Sequence, residues 1–80
     1  MAQKKIYTTE YCYRHRMNYH APAGLGFTRM HIFTPTGAGG YSWDVYERNN
    51  KTGYCKSVYT GKRISQAKWN ELFATTQYAF

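Results

Sequence analysis

Acidic side chains are scarce in this 80-residue chain, where four Asp and Glu stand against 11 Lys and Arg for a formal net charge of +7. The four acids are Glu10, Asp44, Glu47 and Glu71, and no spacing forces two of them into one cleft. Paired carboxylate acid–base chemistry, which needs two groups with environments that drive their pKa values apart, is therefore not expected. Cysteine is equally sparse: Cys12 and Cys55 are too few for a disulfide framework, and a reducing compartment would hold both as thiols. Long apolar runs are missing as well. Nothing approaches the ~18–20 residues that span a bilayer, and the basic start Met1–Ile6 leads into polar residues instead of a signal-peptide core. A cytoplasmic protein without membrane contact is the expectation.

Aromatic residues are what the chain has in excess, at 19% with nine tyrosines. A chain this short buries only about 60% of its unfolded surface, so large rings are an efficient way to build a core. Glycine and proline divide the sequence into segments that read mostly as strands of one domain over residues 1–80. Residues 4–14 are rich in Tyr, Thr and Ile, and a strand there places Tyr7, Thr9, Tyr11 and Tyr13 on one face. After the break at residues 21–26, a second strand over 27–33 sets Met30 and Ile32 against Phe27, Arg29, His31 and Phe33. The glycine-rich stretch 34–40 reads as a hairpin loop. Residues 41–48 alternate Tyr41, Trp43, Val45 and Glu47 with Ser42, Asp44, Tyr46 and Arg48, and a turn at 49–53 leads to a fourth strand at 54–60.

One helix is expected, at the C-terminal end. Ser65 suits its N-cap, Ile64 is placed to staple onto Trp69, and Trp69, Leu72 and Phe73 recur at helical spacing. Lys68 stands where a capping box would carry Glu. Residues 75–80 read as a frayed or packed tail. The fold class is α+β: a small antiparallel sheet of about four strands with one C-terminal helix packed on a face.

No nucleophile elbow, phosphate-binding P-loop or zincin motif occurs, and no enzyme activity and no cofactor are expected. Gly37-Ala38-Gly39-Gly40 resembles a phosphate cradle only superficially, because such loops open a helix and here a strand follows. Cys12 and His15 have C-x-x-H spacing, but structural zinc sites show two close ligand pairs, so no metal site is assigned.

Charge distribution carries the functional signal. No acid occurs from Tyr11 through Trp43, while Arg14, Arg16 and Arg29 lie there with His31, interleaved with Tyr13, Tyr19 and other rings. Cations beside flat rings suit a polyanion that offers bases for stacking. A tyrosine core with a solvated basic exterior would produce the same composition. A second basic group, Lys56, Lys62, Arg63 and Lys68, surrounds the expected helix N-terminus, where positive charge opposes the macrodipole and phosphate would be attracted.

From Gly40 to Phe73, the run Tyr41–Arg48, then Lys51-Thr52-Gly53, then Lys56–Lys68 resembles the arm-type DNA-binding domain of phage integrases. The resemblance implies three strands and a helix, a sheet inserted in the major groove, and Trp43, Tyr46, Arg48, Lys56 and Lys62 on the DNA face. The ending Gly61-Lys62-Arg63-Ile64-Ser65 plus a short helix is also similar to small phage-encoded inhibitors, including anti-CRISPR proteins, which bind and block. The expected partner is thus nucleic acid or a host nucleoprotein complex, met by a non-enzymatic protein. The alternative is an inhibitor that caps a host protein complex with exposed tyrosines such as Tyr13 and Tyr19.

Overall fold

The tyrosine-rich N-terminal segment folds as a helix, not as the expected strand. A computed structural model describes residues 7–80, so residues 4–6 of that expectation lie outside the described residues. Helix α1, Thr9–Arg14, starts at Thr8, whose side chain accepts a hydrogen bond from the Tyr11 amide at 3.1 Å. Glu10 in the first turn and Arg14 in the last suit the helix dipole. Tyr7, just before the helix, packs tilted on Tyr11, and helical spacing sets Tyr11 tilted against His15, at 5.4 and 4.2 Å between centroids. The helix stops at a left-handed residue, Arg16, with φ +54°. Arg16 donates its amide to the Tyr13 carbonyl at 3.2 Å and Met17 donates to that of Cys12 at 2.9 Å, the two bonds of a Schellman motif. Met17 packs against the cluster that holds Cys12, which completes the motif with its usual apolar contact.

Six strands follow in one sheet: β1 Tyr19–Pro22, β2 Phe27–Pro35, β3 Tyr41–Asn49, β4 Cys55–Ser57, β5 Arg63–Ile64 and, after helix α2 Gln66–Phe73, β6 Gln77–Tyr78. Their spatial order is β5-β4-β3-β2-β1-β6, and all neighbours are antiparallel except β1 and β6. The α+β class stands, with two more strands than expected and a second helix among the described residues. β4 ends at Ser57, earlier than residue 60, because the Ser57 amide already bonds the Lys62 carbonyl and Gly61 turns back onto Ser57, both at 2.8 Å. The turn from β3 to β4 is fixed by Asn49, whose Oδ1 accepts from the amides of Lys51 and Thr52 at 2.9 and 3.2 Å. Gly53 closes it at φ +78°, where a Cβ would come within 2.6 Å of Gln66 Nε2.

Helix α2 begins as expected at Ser65, which accepts from the Lys68 amide at 3.1 Å. At its other end the Thr75 and Thr76 hydroxyls donate to the carbonyls of Leu72 and Phe73 at 2.7 and 2.6 Å, so the chain leaves the helix at once. The expected tail instead becomes β6, with the Gln77 amide on the Asn18 carbonyl and the Ala79 amide on that of His20. Asn18 ties this end to the sheet, accepting from the Phe33 amide at 2.7 Å and donating to Thr75 at 3.0 Å.

The sheet separates two apolar clusters. Met30, Ile32, Cys55 and Trp69 are buried together with Tyr46, Ile64, Leu72 and Phe73 against them, on the side covered by α2. Cys12, Tyr19, Phe33 and Ala79, joined by Tyr7 and Met17, form the cluster under α1. The two cysteines therefore lie in different clusters and are free thiols. Burying a side chain such as Met30 or Ile32 contributes about 1.5–3 kcal/mol, so the α2 side carries much of the stability. No helix among the described residues is long and apolar enough to cross a membrane.

Candidate nucleic-acid interface

Alternation along each strand, combined with the register, fixes which residues share the α1 side of the sheet. Ala21 pairs with Arg29, Arg29 with Glu47, Glu47 with Lys56 and Lys56 with Arg63, a single row across β1 to β5. Three cations from three strands thus stand around one carboxylate. On one side of this row lies Phe27 opposite Asn49, with Tyr54 beyond, its carbonyl accepting from the Asn49 amide at 2.8 Å. On the other side come Tyr19–His31–Val45 and then Phe33–Trp43.

Helix α1 covers only the far end of this face. Tyr13 meets Phe33 edge-on at 6.1 Å and Trp43 at 5.1 Å. Trp43 stacks on Phe33 at 6.0 Å with planes 8° apart, and Tyr59 approaches its edge at 6.3 Å. Trp43 is 40% exposed, Tyr54 44% and Tyr59 60%, so the rings flanking the charged row face solvent. Cations sit on two of them: the Arg16 guanidinium lies 5.1 Å from the Tyr13 centroid and that of Arg63 lies 5.6 Å from the Tyr54 centroid. Arg29 bonds Glu47 at 2.9 Å.

His31 lies beneath this surface as a neutral ring. Burial, reinforced by the nearby Arg29 charge, pulls its pKa from 6.5 down to about 4. It stacks flat on Tyr19 at 4.4 Å, and the Trp43 indole N–H donates to its Nδ1 at 3.2 Å. The uncharged form is thereby the acceptor that orients Trp43. His20, on the opposite side, is also shifted down by burial; Thr76, already donating to Phe73, accepts from its Nδ1 at 2.8 Å.

Of the residues singled out from sequence, Arg29, His31, Lys56 and Arg63 fall on this face, and Tyr13 and Arg16 border it from α1. Arg14 is exposed on α1 and paired with Glu10 at 2.8 Å, while Lys62 is exposed in the turn between β4 and β5. Tyr19, expected as an exposed anchor, is 5% exposed and belongs to the core. Arg48 alternates to the α2 side, where its Nε is buried without a hydrogen-bond partner, and Lys68 is exposed on α2 itself. The basic group expected around the α2 N-terminus is therefore divided, with Lys56 and Arg63 on the open face and Lys68 across the sheet. The five residues implied by the integrase resemblance are divided as well: Trp43 and Lys56 face one side, Tyr46 and Arg48 the other, and Lys62 lies in the turn between β4 and β5.

Cys12 and His15 diverge, one buried in the α1 cluster and the other packed against the Tyr11 ring. Burial pushes the Cys12 thiol pKa up; it does the same to Cys55, against the opposing pull of Arg48 and Arg63. Phe27, one of the rings interleaved with the basic span, completes the face together with Asn49, Tyr54 and Tyr59, which carry no such signal in the sequence. Pairing the strands antiparallel across the turn, with Arg48 opposite Cys55, places Tyr54 opposite Asn49. No protein-family model, curated protein or solved structure matches this chain.

Proposed function

We propose that this protein is a non-enzymatic binder of single-stranded nucleic acid, which lies across the open part of the α1 side of the sheet. The observation that carries this reading is the row Arg29–Lys56–Arg63 between two sets of exposed rings, Phe27 with Tyr54 and Trp43 with Tyr59. Cations track a phosphate backbone and rings stack on bases whose faces are free, which a duplex does not offer. Reading a duplex major groove, as the integrase resemblance implies, would draw on Tyr46 and Arg48, and these point to the α2 side. With Arg16, Arg29, Lys56 and Arg63 neutralising four phosphates, the logarithm of affinity falls with the logarithm of salt at a slope of about −3. Fluorescence anisotropy with labelled oligouridylate and oligothymidylate decamers and a matched duplex tests this. Single strands bind more tightly than the duplex, and a salt-independent signal or no binding at low salt overturns the proposal.

A second reading, a protein-blocking inhibitor, is supported by the contiguous Tyr13–Trp43–Tyr59 cluster, since Tyr, Trp and Arg dominate interface hot spots. Capture of one defined protein partner that survives nuclease treatment and is lost in Trp43→Ala favours it over nucleic-acid binding.

A further inference from the structure

Resting on the nucleic-acid reading above, we infer that the cleft between Phe27 and Tyr54 is a nucleobase pocket selective for guanine. The cleft has a volume of ≈190 Å³ and is lined by Phe27, Glu47, Asn49, Tyr54 and Lys56. Phe27 in β2 and Tyr54, directly before β4, flank β3 on either side, two strand spacings or about 9.5 Å apart at the backbone. A flat ring held between two others at van der Waals contact needs about 7–8 Å. A small inward lean of the two exposed side chains meets that separation.

The polar groups under this gap choose the base. The Glu47 side chain is 17% exposed, and its Oε2 is held by Arg29 at 2.9 Å. Its Oε1 has no protein hydrogen-bond partner among the described residues. Asn49 spends its Oδ1 on the Lys51 and Thr52 amides, which leaves its amide N–H₂ as a donor. Lys56 adds a second donor opposite Glu47. The pocket therefore presents one fixed carboxylate acceptor with donors on either side. Guanine matches this: N1–H and the N2 amino group are adjacent donors for a carboxylate, and O6 and N7 are acceptors for Lys56 and Asn49. Adenine and cytosine place a ring nitrogen acceptor against the carboxylate, and uracil or thymine offers a single N–H between two carbonyls. A cationic guest such as a methylated lysine is opposed by Lys56 and Arg29 in the adjoining row.

The test uses anisotropy with decamers of uridylate or thymidylate, whichever binds more tightly, carrying one central G, inosine, A or C. The expected order is G first by about tenfold, with inosine, which lacks the N2 amino group, intermediate. Glu47→Gln is expected to abolish the preference, to within twofold, while affinity for the unsubstituted decamer is retained or rises. Tyr54→Ala, a change at an exposed ring, is expected to lose the preference too and keeps the test available if Glu47→Gln does not fold. Binding of the plain decamer without a preference for G overturns the pocket and leaves the proposed function standing. A preference for G that persists in folded Glu47→Gln or in Tyr54→Ala also overturns it. Failure to bind any decamer at low salt overturns both.

Discussion

Arg16 occupies a backbone position that favours glycine, and this separates its effect on stability from its effect on binding. Its φ of +54° lies in the left-handed region, where a Cβ costs roughly 1–2 kcal/mol. The side chain projected from that position lies over the Tyr13 ring and hydrogen-bonds the Tyr13 carbonyl. Compare Arg16→Gly with Arg16→Ala: both remove the guanidinium, but only alanine keeps the strained Cβ. Glycine also loosens the unfolded chain, at a cost of about 0.4–1 kcal/mol. The difference leaves Arg16→Gly more stable than Arg16→Ala by about 1 kcal/mol, which in a domain of this size separates their melting temperatures by about 4–8 °C. Both variants should lose affinity for single-stranded oligonucleotide equally, by about three- to fivefold, with the salt slope shallower by about 0.7. Thermal denaturation followed by circular dichroism, with anisotropy on the same samples, measures the two effects. Equal melting temperatures would show that the Schellman geometry at Arg16 is wrong. Loss of affinity in the alanine variant alone would show that Arg16 acts through folding and not through its charge.

Three further outcomes follow from the packing. His31 is neutral when folded, with a pKa pulled from 6.5 to about 4, so the unfolded state takes up the proton first. Its contribution is complete above pH 6.5 and lost as pH falls toward 4, about 1–2 kcal/mol after allowance for residual solvent screening. Urea melts at pH 7 and pH 5 should show the loss, His31→Phe should reduce it and leave the share of His20, and a stability that rises on acidification would refute the assignment. Met30→Ala, at a side chain with 0% exposure, should cost about 3 kcal/mol in urea denaturation, whereas Tyr41→Ala, at a half-exposed ring, should cost about 0.5 kcal/mol or less. Cys12 and Cys55 are buried on opposite sides of the sheet, so under mild oxidation the folded protein should retain two thiols by mass spectrometry, reacting with thiol reagents only on unfolding; an intramolecular disulfide would contradict the topology.

The elements legible in the sequence are those whose pattern is long enough to outvote its neighbours. In β2 and β3 the alternation read over residues 27–33 and 41–48 falls inside strands of nine residues each, and it separates Met30 and Ile32 from Arg29, His31 and Phe33 as the structure does. Ser65 and the Trp69–Leu72–Phe73 spacing marked α2 in the same way. Helix α1 was hidden because Tyr and Thr favour strands and because tyrosines at alternate positions mimic a strand face. What decides it is the Thr8 cap and a Schellman ending with arginine where glycine usually signals one. β1 and β6 have four and two residues, too few to announce themselves, and they exist through pairing with β2 and with each other. The candidate site was legible as a list of cations but not as an arrangement. Arg29, Lys56 and Arg63 meet only through the register of four strands, and the same register sends Arg48 to the other side.

Placing one apolar cluster on each side of a single sheet leaves part of one side uncommitted to folding, and this has a consequence for how the protein can change. Met30, Ile32, Cys55 and Trp69 hold their contacts whatever stands at Phe27, Glu47, Tyr54 or Lys56, because a sheet backbone lies between the two sets. Substitutions at separate sites that share no partners combine nearly independently. With Asn49 kept to hold the turn, the other four cleft positions can therefore be randomised together as a recognition alphabet, on a scaffold whose α2 side never has to be redesigned.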